Sequence, residues 1–143
     1  MPRLSKAAAQ ERKARIVALA EKRFVQNGYE QTTVDEIVRE IGLAKGTYYY
    51  HFDSKEDLMI AVSEKLILET STKLNAVYTQ KDKDIVWRIR NVLKTYQDDF
   101  YRNKGIWRQV YHWRNAMLYH RVAHISAQRF TPILEDLLAE ASR

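Results

Sequence analysis

Apolar residues in the first part of the chain recur every three or four positions, with Ile16, Leu19, Ala20 and Phe24 on one face, the period of an amphipathic helix. Ser5 ahead of them suits an N-cap and Asn27-Gly28 behind them a C-cap, so the spacing predicts a helix over roughly residues 6–27. Thr33-Val34-Asp35-Glu36 has the Ser/Thr-x-x-Glu form of a capping box, with acidic residues where the positive end of a helix dipole favours them. Ile37, Val38 and Ile41 give this short helix its apolar side, and Gly42 stops it. After Leu43-Ala44 a second short segment, Lys45 to His51, leads into Phe52. Two short helices joined by a glycine turn make a helix-turn-helix pattern.

From Ser54, a second cap with Asp57 three residues on, a long amphipathic helix carries Leu58, Ala61, Val62, Leu66 and Leu74 and ends near Tyr78. Beyond the charged Lys81-Asp82-Lys83-Asp84 connection, Ile85, Ile89, Val92, Leu93, Tyr96 and Phe100 keep helical phase as far as Asn103-Lys104-Gly105. Ile106, Trp107, Val110, Arg114 and Met117 predict a shorter sixth helix. Val122, Ser126, Phe130, Ile133, Leu137 and Ala141 predict a seventh, kinked rather than broken at Pro132 because the phase runs through it unchanged.

Composition supports an all-α fold. Four glycines and two prolines in 143 residues are too few punctuators for a many-turned β-sandwich. The absence of cysteine excludes a disulfide framework, a thiolate metal site and a Cys nucleophile, and suits the cytoplasm. No apolar run reaches a membrane span, and no signal-peptide core follows the basic N-terminus. Catalysis has no visible carrier: there is no Gly-rich phosphate loop and no Ser nucleophile elbow, so the chain reads as a non-enzyme without a cofactor.

The net charge of +6 is concentrated at the start, where residues 1–23 hold seven basic side chains (Arg3, Lys6, Arg12, Lys13, Arg15, Lys22 and Arg23) against Glu11 and Glu21. An anionic partner is the natural reading, with nucleic acid ahead of membrane. A solvated basic helix face accounts for the charge equally well, so charge alone does not decide.

The helix-turn-helix decides more, because its first helix braces the second, whose N-terminal residues reach base edges. The second must be small where it meets DNA, and Gly46 and Thr47 are. The hydroxyls of Thr47, Tyr49 and Tyr50, with Lys45 and His51, offer contacts for phosphates and bases. Thr33 stands at a helix N-terminus, where backbone N–H groups hold a phosphate, and Lys55 adds a cation in the first turn of the long helix. Tyr48 and Phe52 flank the exposed face and belong to the core. Three consecutive tyrosines cannot all be buried on one short helix, so Tyr49 and Tyr50 face outward.

Together these residues resemble the DNA-binding domain of TetR-type transcriptional repressors. The resemblance lies in Ile16…Ala20…Phe24…Gly28-Tyr29, Thr32-Thr33-Val34…Ile37-Val38…Ile41-Gly42-Leu43, Lys45-Gly46-Thr47-Tyr48-Tyr49-Tyr50-His51-Phe52 and Ser54-Lys55-Glu56-Asp57-Leu58, about a third of the chain. It implies that Thr33, Lys45, Tyr49, His51 and Lys55 touch phosphates while Gly46, Thr47 and Tyr50 face bases, Tyr49 having access to both. It further implies a helix-turn-helix domain over residues 1–54 and, over 55–143, a helical domain for effector binding and dimerisation. Ala44 departs from the serine usual at its position, which leaves the recognition helix without a side-chain cap. Family members usually carry two more long helices after the seventh, which form the dimer interface, so the resemblance implies either a C-terminally truncated version of a longer, homodimeric protein, which is the expectation, or a member that dimerises another way.

The second half has a composition but no motif. Its polar aromatics suit a small-molecule pocket, with Tyr96, Phe100, Trp113 and Met117 as the candidate lining, open to an anionic or aromatic effector. His120 and His124 are four apart on a helix, a metal-compatible spacing, but no third ligand follows and no metal is expected. The expected protein is thus a cytoplasmic, ligand-responsive repressor that binds a pseudo-palindromic operator in double-stranded DNA as a homodimer and is released by a small molecule. The alternative keeps the scaffold for a protein partner, as an interaction adaptor without ligand-controlled operator binding.

Overall fold

The computed structural model describes residues 4–143, except for the side chain of Trp113. It is helical: α1 (Lys6–Asn27), α2 (Val34–Ile41), α3 (Lys45–His51), α4 (Lys55–Tyr78), α5 (Ile85–Arg102), α6 (Lys104–Val110), a 3₁₀ turn (Trp113–Asn115) and α7 (Ala116–Ala141). No helix among the described residues is long and apolar enough to cross a membrane. The chain divides into two compact units, one up to Val62 and one from Ser63 on, with the division inside α4.

In the first unit the ends of the helices are written locally. Ser5 accepts a hydrogen bond from Ala8 N–H at 3.1 Å and starts α1. The capping box of α2 is complete, since the Thr33 hydroxyl accepts from Glu36 N–H at 3.2 Å and the Glu36 carboxylate accepts from Thr33 N–H at 3.0 Å. Gly42 ends α2 at φ 77°, a left-handed conformation that favours glycine, and lets Leu43 N–H reach back to the Val38 carbonyl at 2.9 Å. That turn aims α3. Ala44 precedes α3 without a side-chain cap. The three helices close over Ile16, Ala20 and Phe24 of α1, Ile37 of α2 and Tyr48 of α3, all completely buried, with Leu58 and Met59 from the start of α4. Arg23 on α1 holds Glu40 on α2 through both carboxylate oxygens, Nε to Oε2 at 2.7 Å, fixing the pair of helices at their surface.

In the second unit Leu74, Val92, Ile133 and Leu137 form a buried cluster joining α4, α5 and α7. Two charges are buried there as well. Arg88 donates to Glu140, Nη1 to Oε2 at 3.1 Å, and Asp99 accepts from Lys73 and from the Thr70 hydroxyl. Burial works against the charge on Asp99, but the hydrogen bonds from Lys73 and Thr70 outweigh it and hold the carboxyl below the ordinary carboxylate value. The seventh helix does run through Pro132.

The sixth helix differs from its expectation. It stops at Val110, because His112 turns extended (φ −69°, ψ 133°) and its Nδ1 accepts from Arg114 N–H at 3.3 Å, which starts the 3₁₀ turn. Arg114 therefore lies in that turn and Met117 in the first turn of α7. Spacing carried Ile106, Trp107 and Val110 correctly into the core but could not see the break, since Met117 happens to continue the phase.

The Phe24 ring fills the centre of the first unit without solvent contact. Phe24→Ala should destabilise that unit by about 3–5 kcal/mol, through lost burial and the cavity left behind. Urea unfolding followed by circular dichroism checks it.

Candidate nucleic-acid interface

The surface of α3 is set by where its middle tyrosine goes. Tyr48 is fully buried and its hydroxyl donates to the Ser54 carbonyl at 2.8 Å, so the ring is anchored at both ends. At about 100° per residue the next two positions must rotate away, and Tyr49 and Tyr50 are 47% and 79% exposed. The Tyr49 ring meets Tyr48 edge-on, with centroids 5.1 Å apart, and Tyr50 meets His51 in the same way at 4.9 Å. Adjacent exposed aromatics held by such contacts present a formed surface.

Gly46 opens that surface. A Cβ built there meets nothing within 4 Å, so internal packing does not demand its missing side chain. Gly46, Thr47, Tyr50 and His51 form one wall of a groove of about 430 Å³, and Leu4, Ala9 and Arg12 from the start of the chain form the other. Arg12 is thereby brought to the face of α3. Sequence reasoning counted it only as part of a basic run, and its position within the first turns of α1 was the available signal. Lys13 lies beside it, its ammonium 5.5 Å from the centre of the Phe52 ring.

The expected contact residues do not all stand in the same condition. Thr33 is exposed, and although its oxygen serves as the cap of α2, its O–H proton remains to donate. Lys45 is exposed and paired with Asp35 of α2 at 2.8 Å, a hydrogen bond that lowers the carboxyl of Asp35 and raises the ammonium of Lys45 from their ordinary values. Lys55 is turned partly inward: its ammonium donates to the Tyr29 carbonyl at 2.8 Å and to that of Glu30 at 3.4 Å, and sits 4.4 Å from the centre of the Tyr29 ring. It ties the α1–α2 loop to the start of α4 and keeps one N–H for an outside acceptor. Burial, assisted by like charges on Glu56, Glu30 and Asp57, pushes the Tyr29 hydroxyl up to about 12, so it stays protonated.

His51 has a buried Nε2 without a hydrogen-bond partner among the described residues. Burial and then the charges of Arg12 and Lys13 push its imidazole below the ordinary value.

In the second unit Tyr96 and Phe100 stack with centroids 6.4 Å apart, and both line a cavity of about 20 Å³, room for one water. Tyr96 also walls a larger one. Met117, 69% exposed, lines neither. The side chain of Trp113 lies outside the described residues. His120 and His124 are exposed on α7, and no three metal-binding side chains converge among the described residues.

Residues 16–62 match the family model of bacterial regulatory proteins of the tetR family. Among curated relatives, the transcriptional regulator YerO of Bacillus subtilis is 36% identical over 67 residues, 47% of this chain and 23% of that protein. The transcriptional regulator QacR of Staphylococcus aureus is 42% identical over 50 residues, 35% of this chain and 27% of that protein. The matched part thus spans about a quarter of those relatives. A solved structure, the fatty acid degradation regulator FadR of Bacillus halodurans, superposes with a TM-score of 0.73 over 97% of this chain and 69% of that one at 18% identity, a likeness of fold.

A histidine disfavoured as a cation binds its proton less readily folded than unfolded. The stability it contributes is therefore complete above about 6.5 and is lost as pH falls through the folded value. An NMR titration should place His51 below 6.5, and Arg12→Ala should move it upward. A titration point at or above 6.5 would contradict the buried, cation-flanked setting.

Proposed function

We propose, from the match of residues 16–62 to the tetR family of bacterial regulatory proteins, that this chain belongs to a DNA-binding transcriptional regulator, a cytoplasmic repressor. It binds a pseudo-palindromic operator as a homodimer and leaves it when a small molecule binds the second half of the chain. On this reading residues 1–54 carry operator recognition and 55–143 carry effector binding and dimerisation. The observation that carries the reading is the outer face of α3, where Gly46 is open and Tyr49 and Tyr50 are exposed because Tyr48 is anchored inside.

Arg12, Lys45, Lys55, His51 and the Thr33 hydroxyl supply phosphate contacts, which set position and orientation. Gly46, Thr47 and Tyr50 face bases, and the glycine lets the helix backbone approach the groove floor. A two-fold dimer places two such helices about 34–36 Å apart, one turn of the duplex. Effector and operator then oppose each other through reciprocal coupling, so a 100-fold release needs roughly 2.7 kcal/mol of differential affinity.

The decisive experiment is selection of bound duplexes from a random pool, which should return a sequence with two-fold symmetry. Failure to select any sequence, with a protein partner captured through Tyr49 and Lys45 instead, would favour an adaptor. On the selected duplex Tyr49→Ala should weaken binding by about 1–3 kcal/mol with the fold intact. Lys45→Ala should weaken binding to all sequences alike and reduce the salt slope by about one counterion. Fluorescence anisotropy at several salt concentrations reads both.

A further inference from the structure

The larger cavity of the second unit has a volume of about 260 Å³. Leu74 of α4 forms its back, Val92, Leu93 and Tyr96 of α5 one side, and Phe130, Ile133 and Leu134 of α7 the other. None of these side chains is charged, and the hydroxyl of Tyr96 is their one polar group. Leu93 and Leu134, 53% and 40% exposed, stand at the mouth, while Leu74, Val92 and Ile133 are buried at the back. The rings of Tyr96 and Phe130 meet edge to face, centroids 5.4 Å apart, and separate this space from the small aromatic cavity.

Such a wall selects against charge. An ion entering it loses hydration and gains no partner, at a cost that outweighs apolar contact. The two buried charges of the unit cannot compensate, since Asp99 is held by Lys73 and Thr70 and Arg88 by Glu140. The anionic effector admitted by composition alone therefore fails here, because the cations of this half do not reach the wall.

Size and shape narrow the class further. An apolar cavity of about 150 Å³ holds benzene, so a space of about 260 Å³ takes a skeleton nearer two fused rings. The Tyr96–Phe130 pair presents a ring edge and a ring face, surfaces that favour a flat aromatic guest. Resting on the reading of the chain as an effector-controlled regulator, we infer that its effector class is a neutral, flat, apolar compound of about two rings, bound between α4, α5 and α7 with the Tyr96 hydroxyl as its hydrogen-bonding partner.

The test is calorimetry of the 143-residue chain with three probes: naphthol, naphthalene and naphthalenesulfonate. Naphthol should bind one per chain and at least about tenfold more tightly than the sulfonate, whose charge the wall cannot match. Tyr96→Phe should weaken naphthol by about three- to tenfold, the worth of one hydrogen bond, and leave naphthalene unchanged. Leu134→Trp, at the mouth, should abolish uptake of both with the helical circular dichroism retained. Equal binding of the sulfonate, or uptake of naphthol that Leu134→Trp does not alter, would overturn the assignment.

Sedimentation of the same samples tests the rival occupant. Self-association that Leu134→Trp abolishes, without naphthol uptake, would give the opening to a second copy of the chain and defeat the ligand. Duplex selection is read separately: naphthol uptake by a chain that selects no duplex would refute operator recognition while leaving the pocket standing.

Discussion

The exposed face of α3, the candidate interface, depends on one ring. Tyr48 is completely buried in the first unit, as Phe24 and Ile37 are, its ring lies against that of Phe52, and its hydroxyl is satisfied by the Ser54 carbonyl, so the rotation of a seven-residue helix is fixed from inside. A helix that short has little stability of its own. The turn before it is imposed by Gly42, and the turn after it is closed by Phe52 N–H on the Tyr48 carbonyl at 3.0 Å. With both ends and the angle determined, the outward direction of Gly46, Tyr49 and Tyr50 follows from helical geometry.

The charged residues around this face are arranged differently from a simple row of cations. Lys55 is engaged with backbone carbonyls of the α1–α2 loop, and Lys45 is paired across the turn to Asp35. Arg12 comes from a different helix and completes the groove beside His51. Basic residues thus contribute to holding the first unit together as well as to its field, and a cation count alone overstates the charge offered to a partner.

Much of the helical framework was legible because its signals are local. Ser5, the Thr33–Glu36 box, Gly42 and Ser54 each act within four residues, and the apolar positions follow helical phase. The break at Tyr111-His112 was not legible, since a continuing phase in Met117 masked a backbone turn that depends on His112 capping Arg114. On α3 the burial of Tyr48 and the exposure of Tyr49 and Tyr50 followed from rotation alone. The contribution of Arg12 needed the packing of α1 against its neighbours, and the apolar cavity needed three helices from distant parts of the sequence. Composition placed aromatics and cations in one half of the chain but could not say that the cations are absent from the cavity wall.

The pairing of Lys45 with Asp35 has a further meaning on the proposed reading. An ammonium that already has a carboxylate beside it offers a distant polyanion less than a bare charge would. A duplex seated against Gly46 and Tyr50 brings a phosphate close enough to take that ammonium over, and Asp35 is left to water. The protein thereby carries its own exchangeable counterion, and Lys45 gives its full electrostatic share only at contact, to a phosphate of a duplex of any sequence.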